Sequence, residues 1–455
     1  MTKRERSSVE GITWPALYAG ETAVLAATLA QLAVSERLPA AALAERQGEQ
    51  LALVTAHHAR HTPSFQARLA QAGLGQAPFS RVADLNRLKP LLRRDVQTAG
   101  ASFFAAHVPH GHLPLGHVKT SGATGEPVVV HKTAVNRLFW AALAMRDHIW
   151  NGRDFAGRMT AIRANLGSYS EEDNWGHPAA ALYETGPGQG IPITTDVREQ
   201  LRLVARFRPD ILIVYPNNLD AFVEIWERDG FDLDSIRHIK ALGETVSERL
   251  RMRVKAVTGL RVEDNYSSQE VGAIAIQCPV SELYHVMSET LVVEVLRPDG
   301  DPCSEGEAGR VVVTDLHNFA SPMFRYDIGD YAEPGGPCPC GRGLPTLKRI
   351  LGRGRNLIVK ADGSRHWPLV GFHRYDEVAP VRQYQLIQHT ISDIEFKVVT
   401  DAPLTGAQRE ALAAIAAGSL GGNVRVRITE SRTRLPTGPN GKFEEFVSMV
   451  RPAET

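Results

Sequence analysis

Lys119-Thr-Ser-Gly-Ala-Thr-Gly-Glu-Pro127 stands immediately before the β-branched run Val128-Val-Val130. Thr120, Ser121 and Thr124 bring three hydroxyls to this stretch, and Gly122 and Gly125 let its backbone come close to a ligand. Such a loop can wrap phosphate oxygens with backbone N–H and side-chain O–H groups. Its spacing is not G-x-x-x-x-G-K-[ST], so it does not imply a P-loop fold. Taken alone it is equally an ordinary Ser/Thr/Gly turn, and the chain on either side of it decides the reading.

Upstream, residues 11–100 carry helical patterning. Apolar residues recur at three and four spacing through Ala40–His58, and His61-Thr-Pro-Ser-Phe65 reads as a break. Ala16–Val34 contains Glu21 and runs into Ser35-Glu36-Arg37, so it reads as a core-facing helix. A membrane span needs about 20 uninterrupted apolar residues. Downstream, the runs Ile211–Val214 and Ile239–Leu242 alternate with helical patterns over Val197–Phe207 and Asp220–Asp229. Strands separated by helices of that length predict βαβ units and a partly parallel sheet. Beyond residue 284 the runs Val292–Val295 and Val311–Val313 have no helix between them, which predicts an antiparallel β-subdomain over about 280–350. Past Gly352-Arg-Gly-Arg-Asn356 the pattern changes again. Gln383–His389, Ile394–Thr400 and Val424–Thr429 read as strands and Thr405–Ala417 as a helix, a small α+β module. The expected fold is α/β. A large N-terminal domain, 1–354, has mostly parallel mixed sheets, helices (1–100) and the β-subdomain; a small α+β domain follows over 355–455.

The length of 455 residues is roughly three domains' worth of chain at about 150 each. Lys plus Arg and Asp plus Glu both number 51, which argues against a dedicated nucleic-acid binder. The 43% hydrophobic content argues against a disordered chain. An anionic ligand must therefore be held by a local site. Four cysteines do not make a disulfide framework. Met1–Glu10 has no apolar core of a signal peptide, so a cytoplasmic protein with no membrane partner is expected.

Three further stretches carry chemistry. Asn265-Tyr-Ser-Ser-Gln-Glu270, followed by Gly272, offers an aromatic face, two hydroxyls and a carboxylate. That set suits a base, a phosphate and Mg²⁺, which takes hard oxygen ligands and usually one or two carboxylates. In Phe324-Arg-Tyr-Asp-Ile-Gly-Asp330, Asp330 is able to accept from both ribose hydroxyls, or the motif holds a structural Arg–Asp pair. Leu435-Pro-Thr-Gly-Pro-Asn-Gly-Lys442 puts a lysine in a Gly/Pro-rich loop, a point charge for phosphate or carboxylate. Each alone is also an unremarkable turn or surface residue.

In this order and spacing the motifs resemble the adenylate-forming superfamily of acyl-CoA synthetases, adenylation domains and luciferases, and within it the phenylacetate–CoA ligase branch. Also shared are His177–Thr195, Arg208–Leu212, Ile239–Glu244, Gly336–Arg342 and Ile350–Arg353, so the likeness spans about 45–445. It implies that a carboxylate attacks the α-phosphorus of ATP, giving an acyl-adenylate and pyrophosphate. A thiol, usually that of coenzyme A, then displaces AMP. Thr120, Ser121, Gly122, Thr124 and Gly125 would cradle the β- and γ-phosphates. Gly243 and Glu244 would line the adenine and Tyr266 stack on it. Ser268 would touch the α-phosphate or the acyl carboxylate, Glu270 hold Mg²⁺, and Asp330 and Arg353 hold the ribose. Lys442 would bridge carboxylate and α-phosphate, where charge develops. The small domain would turn between half-reactions about Arg355, where the family more usually has an acidic residue or lysine.

Within the same resemblance, Cys278, His285, Cys338 and Cys340 offer three thiolates and an imidazole, a set that suits tetrahedral zinc, while Cys303 stands apart. His107, His110, His112 and His117 share no helix or strand face and read as loop histidines. Trp140, Tyr183 and Tyr215 suggest an acyl pocket for a flat aromatic acid. Val359–Pro368 departs from the phenylacetate enzymes, so the acceptor stays open between coenzyme A, a carrier-protein thiol and an amine. The expected partners are ATP, a small carboxylic acid and that acceptor, with a homodimer left open. A relic that only binds nucleotide is the non-enzymatic alternative, and Glu270, Asp330, Arg353 and Lys442 argue against it.

Overall fold

The computed structural model describes residues 4–75, 79–120, 128–353, 358–360, 365–366, 375, 377–420, 424–436, 443 and 445–450. The chain divides into two units. One gathers 1–243, 254–328 and 332–350; the other gathers 351–455 with the short stretches 244–253 and 329–331.

In the first unit, a six-stranded sheet runs in space Ser170–Glu172, Gly188–Pro192, Met159–Arg163, Ile211–Val214, His238–Ala241, Val262–Glu263. Every pair is parallel except the first. Ile211–Val214 is buried along its whole length, as a central parallel strand must be. The helix Val197–Phe207 follows the predicted bounds because both ends are written locally. The Asp196 carboxylate accepts from Arg198 N–H at 2.9 Å and Glu199 N–H at 3.3 Å, and Arg208 ends the helix in left-handed conformation at φ 51°. Leu201, Val204 and Phe207 form its buried stripe.

A charged network is buried in this unit. Arg153 is 1% exposed and donates to Asp147 at 2.6 Å and to Glu263 at 3.0 Å. Lys240 Nζ adds a contact of 2.5 Å to Asp147, and His238 Nδ1 lies 2.7 Å from Glu263. Burial alone would raise the Asp147 carboxyl; the Arg153 and Lys240 charges hold it far below the usual range.

A seven-stranded sheet orders Leu291–Leu296, Gly309–Asp315, Tyr326–Pro334, Thr346–Arg353, Tyr284–Val286, Gly272–Gln277, Asn265–Ser268. It starts at Asn265, upstream of the predicted 280, because Asn265-Tyr-Ser-Ser268 is a polar edge strand with no apolar alternation to announce it. Helices Ala40–His61 and Pro63–Gln71 sit where residues 11–100 predict helix, with the break confined to Thr62. The helix Gly20–Ser35 is less core-facing than expected. Only Leu25 and Leu32 are buried, while Val24 and Val34 are 52% and 68% exposed.

The second unit carries a four-stranded sheet ordered Arg425–Ser431, Asp393–Thr400, Val381–Gln388, Phe446–Ser448, covered by the helix Gly406–Ser419. Thr405 caps that helix by accepting from Gln408 N–H at 3.2 Å. Among the described residues, no helix is long and apolar enough to cross a membrane.

Candidate active site and metal centre

Asn265–Ser268 and Gly272–Gln277 form an antiparallel hairpin with Ser268 opposite Gly272. Gly272 has φ +91°, which L side chains rarely adopt, so the glycine permits the turn. The turn buries Glu270, whose Oε1 lies 3.8 Å from Arg93 NH1. Lys132 Nζ donates to the Glu270 backbone carbonyl and lies 3.9 Å from Asp315 Oδ2. Ser268 is half-buried, and its Oγ accepts Val271 N–H at 3.3 Å. Burial pushes the Lys132 ammonium down, opposed by Asp315 and Glu270, and pushes the Asp315 carboxyl up, opposed by Lys132. Arg93, Lys132 and Asp315 were not anticipated. The one signal for Asp315 is an acid closing the β-branched run Val311–Thr314.

Beyond Glu270 the chain lines a cleft with Val271, Gly272 and Ala273, faced by Phe139 and Trp140 from the helix Ala134–Trp150. Trp140 is 52% exposed there. Tyr183 stacks on Phe155 at 4.4 Å in a packed cluster. Tyr215 lies against Gly243: a Cβ on that glycine, at φ +75°, would come 3.0 Å from Tyr215 Cε1. The Tyr215 hydroxyl accepts Ala164 N–H at 3.3 Å. Tyr266, 7% exposed, packs in an apolar cluster with Val271, Ile274 and Tyr284.

Asp330 is buried on Tyr326–Pro334, and Glu244 is half-buried; both belong to the second unit. The motif containing Asp330 has no internal Arg–Asp pair. Arg325, at φ 50°, clamps Glu294 at 3.0 and 2.9 Å and the Leu88 carbonyl at 2.6 Å, while Asp327 pairs with Arg310 at 3.2 Å. Ser121, Gly122, Thr124, Gly125, Arg355 and Lys442 lie outside the described residues, as do the side chains of Thr120 and Arg353. Gly116–Thr120 and Val128–Lys132, which flank the glycine-rich stretch, pair antiparallel with Thr120 opposite Val128.

The cysteine set converges from three separate segments. The ligand atoms of Cys278, His285, Cys338 and Cys340 all lie within 4.8 Å of one another. Cys338 Sγ is 3.6 Å from Cys278 Sγ, and Cys340 Sγ is 3.2 Å from His285 Nε2. Tetrahedral zinc with Zn–S near 2.3 Å needs donor–donor edges of about 3.5–3.8 Å, so the set fits the ion. His285 Nδ1 donates to the Leu344 carbonyl at 3.4 Å, which leaves Nε2 as a bare lone pair facing the thiols. Arg37 donates to the Cys340 carbonyl at 3.2 Å, and Arg342 pairs with Glu36 at 3.2 Å, tying this loop to the first helix. Cys303 is apart, with its sulfur against Gly309.

The four histidines expected in loops are not all there: His117 lies on the strand Gly116–Thr120, opposite His131, and His110 and His112 lie in a short 3-10 helix. His107 lies 5.2 Å from His61, ring to ring, and His112 lies 4.5 Å from Phe319. His57 is 4.9 Å from His61 and donates to the Phe319 carbonyl at 2.9 Å. Among the described residues these rings form no metal-ligating group. Burial pushes His57 down to about 4 and His58 to about 3, each opposed by its backbone hydrogen bond.

No family model matches the chain. It is 26% identical over 383 residues to the phenylacetate–coenzyme A ligase of Thermus thermophilus, covering 81% of this chain and 84% of that one. It is also 26% identical over 296 residues to the fumarate–(S)-2,3-diaminopropanoate ligase of Enterobacter agglomerans, covering 60% of this chain and 68% of that one. A solved 2-hydroxyisobutyryl-CoA ligase in a postadenylation state superposes with a TM-score of 0.73 over 91% of both chains, at 16% identity. The protein is an AMP-forming ligase. It resembles the adenylate-forming enzymes, with phenylacetate–CoA ligases among its relatives.

Proposed function

We propose that this protein activates a small, aromatic carboxylic acid with ATP, releasing pyrophosphate, and passes the acyl group to coenzyme A in the cytoplasm. The observation that carries this reading is the hairpin turn. It holds Ser268 and the buried Glu270 beside Arg93 and Lys132, and it opens on a cleft flanked by Trp140. Glu270 offers a buried carboxylate that suits Mg²⁺. When bound, the ion would neutralise phosphate charge. Ser268 would orient the α-phosphate or the acyl carboxylate. Thr120–Gly125 would cradle the outer phosphates, Gly243, Glu244 and Tyr266 the adenine, and Asp330 and Arg353 the ribose. Lys442 would stabilise charge at the reacting phosphorus, with 355–455 turning about Arg355 after adenylation. Trp140 and Tyr215 would border the acid, whereas Tyr183 is a packing residue.

A nitrogen acceptor is the second reading, favoured by the likeness to the diaminopropanoate ligase. Cys278, His285, Cys338 and Cys340 would hold a structural zinc. Its chemistry would be to clip the seven-stranded sheet to the loop that packs on Glu36 and Arg37.

Pyrophosphate release across a panel of carboxylic acids, then product mass with coenzyme A or amines, tests this reading. Acid-stimulated release followed by a coenzyme A thioester supports it. An amide product moves it to the second reading, and no stimulation by any acid overturns both.

A further inference from the structure

Numbered along the chain, the parallel strands of the six-stranded sheet lie in space in the order 2-1-3-4-5. The order reverses between Met159–Arg163 and Ile211–Val214, and open α/β sheets bind ligands outside the carboxyl ends of the strands at such a reversal. Arg163 is the last residue of the first of these strands, and Tyr215 directly follows the second. The Tyr215 hydroxyl accepts the N–H of Ala164, the residue after Arg163, at 3.3 Å. Gly243, just past the end of His238–Ala241, lies against the same ring.

Arg163 is half-buried, and among the described residues its side chain makes no hydrogen bond or ion pair. Arg153, Arg206 and Arg208 of the same unit each pair with a carboxylate. Burial pushes the Arg163 guanidinium down, opposed by Tyr215. Lys240 and His148 lie within electrostatic reach of it and bring no negative charge. Lys240 shares Asp147 with Arg153, and Arg153 also holds Glu263. Three cations thus stand against two carboxylates, and the charge left over is at Arg163. A partly desolvated cation left unpaired costs free energy, and a ligand that supplies an anion recovers it.

We infer that the acid this protein activates carries a second carboxylate, which Arg163 binds beside Tyr215 at the carboxyl ends of the parallel strands. The inference rests on the proposed acid activation, in which Tyr215 borders the acid, and adds a charged group to that acid. A guanidinium takes a carboxylate through two parallel N–H donors, which fixes the orientation of the acid as well as its charge. A site built to pair with a charged group rejects the analogue that lacks it far more strongly than a hydrophobic pocket rejects a missing methylene, because its own charge is then left unpaired.

The test uses the full chain and matched aromatic and aliphatic acids bearing a carboxylate, a carboxamide or a methyl group away from the reacting carboxyl. Pyrophosphate release gives kcat/KM, and calorimetry gives acid binding. One dicarboxylate should exceed its carboxamide and methyl counterparts by about tenfold or more in kcat/KM. That ratio should collapse to within about threefold in Arg163→Met, and in Arg163→Gln should the first variant fail to fold. Arg163→Met should melt no lower than the wild type, because the charge it removes gains its partner only with the acid. Counterparts that react as fast as the dicarboxylate, or a ratio that survives both variants, overturn the inference while leaving acid activation standing. Selective dicarboxylate binding, lost in Arg163→Met, without pyrophosphate release upholds the second-carboxylate site and overturns the activity. Absence of both binding and release overturns both.

Discussion

His285 Nε2 and Cys340 Sγ lie 3.2 Å apart although 55 residues separate them in the chain, and Cys278 and Cys338 close the same cluster. Purified protein, expressed with zinc and never exposed to chelator, should carry about one equivalent of the metal. Cys340→Ser should lose it and melt several degrees lower, because a structural site contributes folding free energy. Under a tenth of an equivalent in the wild-type protein contradicts the assignment.

Glu270 is a buried carboxylate on a turn made by Gly272. Glu270→Gln keeps the shape and removes the charge. Pyrophosphate release should fall by about 100-fold or more, in line with the loss of a preorganised electrostatic group, while the melting temperature changes little. An unchanged rate removes Glu270 from the chemistry.

Gly243 holds φ +75°, and a Cβ there meets the Tyr215 ring at 3.0 Å. Gly243→Ala should cost about 1–2 kcal/mol from the left-handed backbone alone. Displacement of Tyr215 should raise KM for ATP or the acid. Stability and KM both at wild-type values count against this close approach.

Arg153 joins Asp147 and Glu263 at 1% exposure. Arg153→Met leaves two buried carboxylates short of a partner and should cost about 3–5 kcal/mol in urea unfolding. A loss below about 1 kcal/mol means that Lys240 and His238 suffice to hold them.

Acid should unfold the protein through its histidines. His58 Nε2 donates to the Asn318 carbonyl at 2.8 Å, and its Nδ1 accepts from the Thr62 hydroxyl at 2.7 Å, so the folded state holds the ring neutral. Its pKa falls from 6.5 to about 3 on folding. The unfolded chain therefore binds the proton first. Stability is full above pH 6.5 and is lost as pH falls from there toward 3, by about 2 kcal/mol at pH 5 for this one ring. His57 adds to the loss over the window from 6.5 to about 4, discounted for its partial exposure. Urea midpoints at pH 7 and pH 5 measure this. His58→Gln should flatten the difference, and an equal drop in that variant contradicts the role given to His58.

Elements whose start and stop are written in neighbouring residues were legible in the sequence. Asp196 and Arg208 bound the Val197–Phe207 helix, and Thr405 caps the helix Gly406–Ser419. The Cys/His set was legible as ligand types. Its convergence was not, because it depends on the pairing of Tyr284–Val286 with Thr346–Arg353. The edge strand Asn265–Ser268 was missed because it is polar, and the exposure of Val24 and Val34 because helical periodicity cannot tell a wide buried face from a narrow one. At the candidate site, Ser268, Glu270 and Trp140 are singled out by motif order and aromatic content. Arg93, Lys132, Asp315 and His317 arrive from distant segments, and only the tertiary fold puts them beside Glu270 and the cleft.

Acid-dependent exchange of labelled pyrophosphate into ATP, measured with the full chain and Mg²⁺, tests the central claim most directly. It reports reversible acyl-adenylate formation whatever the acceptor. At least one aromatic acid should stimulate exchange about tenfold or more over the acid-free rate, and Lys442→Ala should abolish most of it. Exchange that stays at the acid-free rate across the whole panel contradicts acid activation by this protein.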